Sequence, residues 1–454
     1  MIRILSWASV VLWILVLPAR GWSQTNDEIN SGVQFNFSTP GARSLALGGA
    51  FLALADDATA AYTNPAGLTN LTVGGSEVSV ELRQWRYSNV APDLGHSFGP
   101  PSGFGLDTVA GLRFGETETG TSGLSFLSFG YVLPGGWTVS LYRHELANFQ
   151  GAIESQGVFL GDPQPRPSGG FRQIDRVFPF RSSLQLDIVN YGVSGAREIP
   201  IPARLGSLSL GAGVSFYQLD LQSWTERFYR YEQDRDGDGQ TTAEELALGR
   251  QPGGFFGYAD TLGDNVFNTQ VQRGDSHDWG INLGALWKIG DGKWSLGTVY
   301  RRGPELAMKS VYFWGPAAER HNVNHPPAGS INPVAGGPGV LKVPDVLGLG
   351  AAWSGREGTV KATLDYDRVL YSQLAGRMTN ILSNEADTFQ AKNYSLEDAG
   401  EIHLGLEYVF LVLESKLVAT FRAGAWYDPA HTLRYTGSND RLRVRFPGGE
   451  DEVH

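Results

Sequence analysis

The chain has 454 residues, of which 18% are charged and 11% aromatic, and it contains 59 glycines, 23 prolines and no cysteine. This balance is typical of a β-rich, turn-rich protein, and it excludes a coiled coil, a disulfide scaffold and metal sites built on cysteine thiolates. The 36 basic and 47 acidic residues give a formal net charge of −11, which argues against a nucleic-acid partner because such a partner requires a basic surface.

The first 23 residues carry the three regions of a signal peptide. Arg3 precedes the apolar stretch 4–17, and Pro18, Gly21 and Ser23 follow it. As a helix this stretch covers about 21 Å, short of the ~30 Å hydrocarbon core of a bilayer, so a membrane anchor is disfavoured. We expect export with cleavage after Ser23. Because no later run of about 18 apolar residues exists, the mature chain can enter a membrane only as a closed barrel.

Residues 24–75 differ in composition from the rest of the chain. Alanine and glycine dominate Gly41–Gly67, and the apolar segment Ser44–Ala55 has small side chains suited to close packing in a confined space. The motif Asn64-Pro65-Ala66-Gly67 places asparagine, proline and glycine where a type I turn prefers them. A wide barrel lumen is open to water unless something fills it, and this segment is the candidate plug.

Apolar residues alternate with polar or small ones along most of the remaining chain, which is the period of β-strands. In residues 208–216, for example, the apolar side chains fall on one parity, and serine or glycine falls on the other. One face suits lipid and the other water, although a soluble sandwich alternates in the same way. Eleven strands are predicted: Ser76–Ser88, Gly123–Leu133, Trp137–Phe149, Ser183–Gly195, Gly206–Trp224, Ser276–Ile289, Lys293–Gly303, Asp345–Ser354, Gly358–Leu370, Gly400–Leu411 and Ser415–Tyr427.

The connections between these strands distinguish the two architectures. Brief turns such as Pro134–Gly136 and Gly290–Gly292 follow the even-numbered predicted strands, whereas polar loops of roughly 20 to 50 residues follow the odd-numbered ones. Short turns at one rim and long loops at the other are typical of an outer-membrane barrel, so we predict an all-β, transmembrane antiparallel β-barrel with an N-terminal plug. Four tryptophans beside the brief turns fit an interfacial girdle, although cross-strand pairing near hairpins gives the same pattern: Trp137, Trp287, Trp294 and Trp353.

The number of predicted strands is odd. A bacterial single-chain barrel closes with an even number, and this chain stops at His454 directly after a polar loop. We therefore expect residues 76–454 to form a barrel domain that lacks its last strands. The segment Asp107–Gly115 is a candidate for a further short strand within the first long loop.

The plug segment resembles the N-terminal hatch of the FadL-type long-chain fatty acid transporters of the bacterial outer membrane. Residues 422–429 also resemble the late upward strand of that family. Four runs carry the likeness of the hatch: Gly41–Leu45, Gly48–Phe51, Ala55–Ala58 and Tyr62–Leu68.

The resemblance implies a 14-stranded barrel with a hatch whose gate is Asn64, Pro65, Ala66 and Gly67. It also implies passive transport of hydrophobic molecules from extracellular loops to an interior pocket, and then sideways through the wall at a kinked strand. Three strands would then be missing, in agreement with the strand count. Related barrels with this hatch serve secretion systems, so the motif indicates architecture more strongly than cargo.

Aromatic residues in the long loops are the candidate contacts for an apolar cargo. The alternative, which is favoured because scattered surface aromatic residues are common, is that they pack the loops against one another. The candidates are Phe255, Phe256, Tyr258, Tyr312, Phe313 and Trp314.

The third long connection contains an EF-hand-like sequence at residues 234–245. Acidic residues stand at positions 1, 3, 5 and 12 and glycine at position 6, and these carboxylates repel one another unless a cation neutralises them. Thr241 replaces the usual aliphatic residue, and no second such loop exists. We therefore expect one structural Ca²⁺ that braces the loop. Its expected ligands are Asp234, Asp236, Asp238, Gln240, Thr242 and Glu245.

Catalytic motifs for phosphate, dinucleotide, serine-hydrolase or zinc chemistry are absent from the sequence. His321 and His325 have helical spacing for a metal, but two prolines follow them directly, so a helix that presents both as ligands is disfavoured.

We expect the protein to be a passive channel for long-chain fatty acids or other hydrophobic compounds in the outer membrane of a Gram-negative-type bacterium, and not an enzyme. Such a channel contacts outer-membrane lipid, and a monomer is favoured. The alternatives are a structural or secretion-associated barrel without small-molecule cargo and, third, a lipid hydrolase with dispersed catalytic residues.

Overall fold

The computed structural model of the chain describes residues 37, 39–71, 75–95, 112–155, 158–159, 176–177, 180–228, 266–314, 333–355, 358–375, 394–412, 417–429 and 434–435. The predicted signal peptide, the calcium loop and three of the candidate cargo contacts, Phe255, Phe256 and Tyr258, lie outside these residues. Within the described ranges, every helix is too short or too polar to cross a bilayer.

Seventeen strands and a few short helices make up the described residues. The strands are β1 (Ser76–Gly95), β2 (Leu112–Leu133), β3 (Trp137–Ser155), β4 (Val158–Phe159), β5 (Arg176–Val177), β6 (Phe180–Ile199), β7 (Gly206–Phe228), β8 (Val266–Ile289), β9 (Trp294–Arg302), β10 (Glu305–Trp314), β11 (Pro333–Lys342), β12 (Val346–Gly355), β13 (Val360–Val369), β14 (Tyr394–Ser395), β15 (Ala399–Val412), β16 (Leu417–Tyr427) and β17 (Arg434–Tyr435). The helices are α1 (Ala42–Ala46), α2 (Ala60–Thr63), α3 (Ser372–Ala375) and the 3₁₀ helices Pro65–Asn70 and Ala203–Leu205.

Thirteen of the strands form one antiparallel sheet, which is the barrel wall. Its path is β1-β2-β3-β6-β7-β8-β9-β12-β13-β15-β16, and the β10–β11 hairpin joins it by pairing with β8. The eleven strands on this path are the eleven predicted ones, so that part of the prediction is confirmed. Several of them extend further on the long-loop side; β2 begins at Leu112, so Leu112–Gly115 belong to it and do not form a separate strand.

The prediction of a long loop after the strand Lys293–Gly303 is wrong in part. Tyr312, Phe313 and Trp314 lie in β10, which pairs with both β11 and β8, and not in a loop. The physical reason is that Val311–Trp314 is apolar on both parities, which hides the strand period, while Pro304 separates this strand from β9.

The two faces of the wall differ in polarity as predicted. On β7, Leu210 and Val214 point outward and are about half exposed, at 47% and 48%, whereas Ser209 and Ser215 are buried on the lumen side. The same parity holds on β13, where Leu364 is exposed and Asp365 is buried. An apolar exterior around a polar interior is the arrangement that a bilayer stabilises and that a soluble barrel avoids.

Two rows of aromatic residues border this apolar exterior. The four predicted girdle tryptophans stand beside the brief turns, and Trp294 pairs with Trp353 across β9 and β12. Toward the long-loop side, Phe216 and Trp279 are cross-strand neighbours. On β8 the stretch from Trp279 to Trp287 spans about 27 Å along the strand. A tilt of about 40° reduces this to a height near that of the apolar band of an outer-membrane barrel.

The predicted plug fills the inside of the wall. The described part of this segment, residues 39–71, is called the hatch below. Phe51, Ala55, Ala61 and Ala66 have no exposed surface, which confirms the close packing expected from the small side chains.

Candidate functional site

Glycines on the inner wall make room for the hatch. Gly211 and Gly284 are directly paired across β7 and β8. A Cβ on Gly211 would overlap the backbone of Pro65 and Ala66, and one on Gly284 would overlap the side chain of Asn64. Any larger residue would therefore push the hatch away from the wall. A Cβ would also come within 3.0 Å of hatch atoms at the further members of this glycine belt, which are Gly297, Gly350, Gly405 and Gly424.

Asn64 ties the hatch to the wall at this point. Its Nδ2 donates hydrogen bonds to the carbonyl oxygens of Leu52 at 2.9 Å and Ala285 at 3.2 Å, and its Oδ1 accepts one from the Ala66 amide. The Gly67 amide donates to the Asn64 carbonyl oxygen at 2.8 Å, so the predicted turn is present and continues as a 3₁₀ helix. The sequence-predicted gate residues Asn64, Pro65, Ala66 and Gly67 thus lie together, buried against β7 and β8.

The first half of the hatch is held by charged side chains of β13, β15 and β16. Arg43 donates to Asp56 and to Glu407, and Glu407 also accepts a 2.7 Å hydrogen bond from Arg422. Lys361 lies 3.5 Å from both Asp56 and Glu407. Burial alone would lower the pKa of Arg43, but its hydrogen bonds with Glu407 and Asp56 outweigh burial and raise that pKa above its ordinary value.

Two further side chains hold the backbone of this first half. The Asp365 carboxylate accepts hydrogen bonds from the amides of Phe51 and Leu52, at 2.6 and 2.7 Å. His403 lies with Nδ1 2.7 Å from the Gly48 carbonyl oxygen. Charged groups at a protein interior are displaced at high cost, so these contacts anchor residues 41–52.

The second half of the hatch is held to β2, β6, β7 and β8 by neutral groups, and it has one bond to a charged side chain on each side of this stretch. Glu77 on β1 accepts from the Ala58 amide at 3.1 Å, and Arg301 on β9 donates to the Thr63 carbonyl oxygen at 3.3 Å. Neutral hydrogen bonds contribute about 1 kcal/mol each and break more easily than buried charged ones. The bonds join Ser128 Oγ to the Ala58 carbonyl oxygen (2.9 Å), Ser194 Oγ to that of Ala61 (2.7 Å), Asn282 Nδ2 to that of Tyr62 (2.6 Å), and Thr69 Oγ1 to Ser209 Oγ (2.7 Å).

Above the hatch, toward the long loops, the polarity of the wall is inverted. On β7 the outward side chains change from Val214 to Gln218 and Asp220, which are exposed, while the inward ones change from Ser215 to Leu219. This upper part of the strands therefore projects beyond the lipid-facing band and encloses an apolar interior. The residues of this upper apolar cluster include Leu146, Leu184, Leu186, Ile188, Leu219, Leu221, Leu306, Met308, Leu341 and Val343.

The wall is interrupted beside the upper apolar cluster. The ladder between β2 and β3 ends at the pair Phe126–His144, although both strands continue, and β3 carries an irregularity between Glu145 and Ala147. The Arg143 guanidinium of β3 donates to the carbonyl oxygen of Leu124, which still pairs with Leu82 on β1 but has no partner in the β2–β3 ladder. β3 thus carries an irregularity next to a gap in the wall, which makes it the candidate for the kinked strand that the resemblance implies.

A second interruption separates β9 from β10 and β11 from β12. Pro304 and Pro344 stand at the two breaks, because proline cannot donate to a ladder. The freed backbone of Gly303 is satisfied by side chains: its amide donates to Asp345 at 2.9 Å, and Lys342 Nζ donates to its carbonyl oxygen at 2.6 Å. The β10–β11 hairpin is therefore a separate segment that contributes Leu306 to the upper apolar cluster.

Sequence reasoning missed the upper apolar cluster because it looked for cargo contacts in the loops. A signal was available, since the apolar residues change parity within one strand, from Leu208 and Leu210 to Leu219 and Leu221. The side chains of Tyr312, Phe313 and Trp314 lie outside the described part of the structure, so their role as cargo contacts stays a prediction. No group of acidic residues and histidines within the described ranges is arranged to hold a metal ion.

Comparison with known proteins identifies the fold. No protein-family model and no curated protein sequence matches the chain. A solved FadL homologue of Pseudomonas aeruginosa aligns with 92% of this chain and 84% of its own, at 13% identity and a TM-score of 0.50. The toluene transporters TbuX of Ralstonia pickettii and TodX of Pseudomonas putida align at 17% and 16% identity, over 88% and 87% of this chain and 88% and 85% of theirs, each with a TM-score of 0.44. The chain therefore has the plugged-barrel fold of the FadL homologue, which confirms the expected architecture.

Proposed function

We propose that the protein is a passive outer-membrane channel for hydrophobic small molecules, such as long-chain fatty acids, with the hatch as its gate. The observation that carries the proposal is the upper apolar cluster on the lumen side of the wall, between the hatch and the long loops. A water-filled pore needs a polar lining, whereas an apolar lining favours an apolar guest by roughly 25 cal/mol per Å² buried. The fold shared with a FadL homologue supports the same conclusion.

The proposed process is partition and involves no bond chemistry. An apolar molecule enters the upper apolar cluster from the long-loop side, which we place outside the cell, with the tryptophan-flanked turns in the periplasm. It then leaves once the hatch has moved, and the break between β2 and β3 is the proposed exit through the wall. The protein supplies an apolar interior and a movable plug, and no catalytic group is required.

The contacts of the hatch indicate which half moves. A network of charged side chains on β13, β15 and β16 holds residues 41–52, whereas neutral hydrogen bonds hold most of Ala58–Thr69 against β2 to β8, with single bonds to Glu77 on β1 and Arg301 on β9. We infer that the first half stays in place while the second half, which includes the gate motif, moves away from the wall. This is also the half that faces the break between β2 and β3.

Uptake by cells provides the direct test. Cells that express the protein should take up labelled oleate faster than cells that lack the gene, and the Leu186→Asp variant should lower the uptake that depends on the gene by about tenfold or more. A buried, unpaired carboxylate in the upper apolar cluster opposes an apolar guest by more than the ~1.4 kcal/mol that a factor of ten requires. Uptake is measured with radiolabelled oleate at equal amounts of protein in the membrane.

Gln185→Asp is the matched control, because Gln185 is the neighbour of Leu186 on β6 and is exposed on the outer face. It should leave uptake unchanged. Equal uptake with and without the gene would overturn the transporter proposal in favour of a structural or secretion-associated barrel.

We also propose that the connection between β7 and β8 binds one Ca²⁺. The support is the EF-hand-like spacing of Asp234, Asp236, Asp238 and Glu245, with the side chain or backbone of Gln240 and Thr242 completing the oxygen ligands. The proposed ion braces this connection above the upper apolar cluster. Its role is structural.

Calorimetric titration with Ca²⁺ tests this site. The wild-type protein should bind one ion, and the Asp234→Ala, Asp236→Ala, Asp238→Ala triple variant should lose it, since three of the carboxylates that neutralise the cation are gone. Asp291→Asn, in the exposed turn at the opposite rim, is the control and should bind Ca²⁺ normally. Unchanged binding by the triple variant would contradict the proposal.

A further inference from the structure

A groove crosses the outer face of the wall on β8, β9, β12 and β13. Small side chains that point outward form its floor: Ala285 and Thr298 are cross-strand partners on β8 and β9, and Ala351 lies next to them on β12. Larger side chains border this floor on both sides. They are Trp287 and Leu296 toward the brief turns, and Leu349 and Tyr366 toward the long loops. These residues define the outer groove.

The outer groove is large for a feature of a strand surface. Its volume is about 670 Å³. Pockets that hold a small molecule commonly have roughly 300 to 1,000 Å³, whereas gaps between packed side chains rarely exceed the size of a water molecule. Leu349 on its border is 61% exposed, so the groove opens to the surroundings of the barrel and not to the lumen.

The position of the outer groove along the strands places it in one half of the apolar band. On β8, Ala285 is two residues from Trp287 and six from Trp279, and these tryptophans belong to the two aromatic rows that border the band. The groove therefore lies in the half next to the brief turns. Because we place those turns in the periplasm, this half meets the periplasmic, phospholipid leaflet of the outer membrane.

The chemistry of the outer groove favours a hydrocarbon occupant. Thr298 Oγ1 already donates to the Gly348 carbonyl oxygen at 3.1 Å, and Trp287 Nε1 donates to that of Leu205 at 2.8 Å. A peptide segment would leave its own polar groups unpaired against this lining, which is costly, whereas a hydrocarbon chain has none. A second copy related by two-fold symmetry would present the same concave surface, and two grooves cannot fill each other.

We propose that the outer groove binds one acyl chain of a phospholipid of the periplasmic leaflet, and holds it longer than the lipids around the rest of the wall. Lipid tails are as apolar as the groove, so the hydrophobic effect does not distinguish this site. The gain is dispersion contact, because a chain in a concave surface touches protein on several sides. Only the choice of leaflet rests on the proposed function, through the orientation of the barrel.

The outer groove lies behind the anchored first half of the hatch. Gly297 and Gly350 alternate with its floor and border residues on β9 and β12, and a Cβ on either glycine would come within 3.0 Å of Leu52 or Ala53. Only the backbone of the wall therefore separates the bound acyl chain from the hatch here. The chain packs against strands next to the half of the hatch that stays in place.

The lipid retained by the purified full-length protein tests this site. The protein is extracted from outer membranes in a mild detergent and washed, and the retained lipids are identified and counted by mass spectrometry. The wild type should retain about one diacyl phospholipid per chain, and Ala351→Trp, whose ring fills the floor of the groove, should retain about tenfold less or none. Ala285→Phe fills the floor from another strand and should have the same effect, so the result does not depend on the folding of one variant.

Two matched variants separate the outer groove from other lipid sites. Ala212→Trp places the same ring at an exposed, outward position of β7 beyond the groove, and it should retain the phospholipid. Leu186→Asp alters the upper apolar cluster on the opposite face of the wall and should retain it as well. Loss of the lipid in either control, equal retention by all variants, or a wild type without phospholipid would overturn the site. Retention of a lipopolysaccharide instead would overturn the choice of leaflet. All these outcomes are independent of the oleate uptake that tests the channel.

Discussion

Oxidation of a Thr69→Cys, Ser209→Cys double variant is expected to reduce oleate uptake to the background of cells without the gene, and reduction is expected to restore it. The two hydroxyl oxygens are 2.7 Å apart, which brings the replacing sulfurs within reach of a disulfide. The chain has no cysteine of its own, so no other intramolecular pair can form. The bond would tie the second half of the hatch to β7 and prevent the movement that release requires. Uptake is measured before and after addition of dithiothreitol.

A second pair of hydroxyls supplies the control for this experiment. Ser182 Oγ and Thr225 Oγ1 are 2.8 Å apart on β6 and β7, within the wall and away from the hatch. A disulfide between cysteines at these positions should leave uptake unchanged, because both strands are already paired there. If the oxidised hatch variant still takes up oleate at the wild-type rate, then the second half of the hatch is not the gate.

The Gly211→Leu variant is expected to open the lumen to ions. Even a Cβ at this position overlaps the backbone of Pro65 and Ala66, and a leucine side chain would occupy the space of the gate motif itself. The neutral hydrogen bonds of the second half, about 1 kcal/mol each, cannot hold the hatch against such an overlap. In planar bilayers the wild type should conduct little, and the variant should show stable open-channel currents at least about tenfold larger.

Gly195→Leu is the matched control for the glycine substitution. A Cβ on Gly195 meets only the Thr138 carbonyl oxygen at an ordinary 3.8 Å, and the residue lies on the parity of β6 that faces outward. Its currents should equal those of the wild type. Unchanged currents in Gly211→Leu would show that the glycine belt does not seat the plug.

The wall was predictable strand by strand because its surroundings impose a local rule. Lipid on the outer face of the wall and a small-sided or polar inner face demand a period of two, and the parity of residues 208–216 and 360–367 shows it directly. Turns such as Pro134–Gly136, with Gly135 and Gly136 at positive φ, mark the strand ends equally locally. The β10–β11 hairpin was not predicted, because Pro304 and residues 311–314, which are apolar on both parities, break that rule.

Of the candidate site, only the hatch was predictable from the sequence. Asn64 and its turn stand in one short motif, so their role as a turn could be read without knowing the wall. The upper apolar cluster is encoded in the parity change on β7, whereas the aromatic residues of the long loops predicted cargo contacts elsewhere. Gly211 and Gly284 could not have been singled out as the seat of the gate motif, because that role depends on the register between β7 and β8 and on where the hatch lies against them.

Order along the chain alone was enough to specify a strand-built, membrane-facing wall and a small-sided segment to fill it, since alternation, turn residues and side-chain size act on neighbours in sequence. Folding in three dimensions decided the contacts that make the plug work. Arg43 meets Glu407 across 364 residues, and Asn64 meets Ala285 across 221. Such contacts depend on the register and curvature of every intervening strand, and a one-residue slip would turn Glu407 toward lipid and leave Arg43 without its carboxylate.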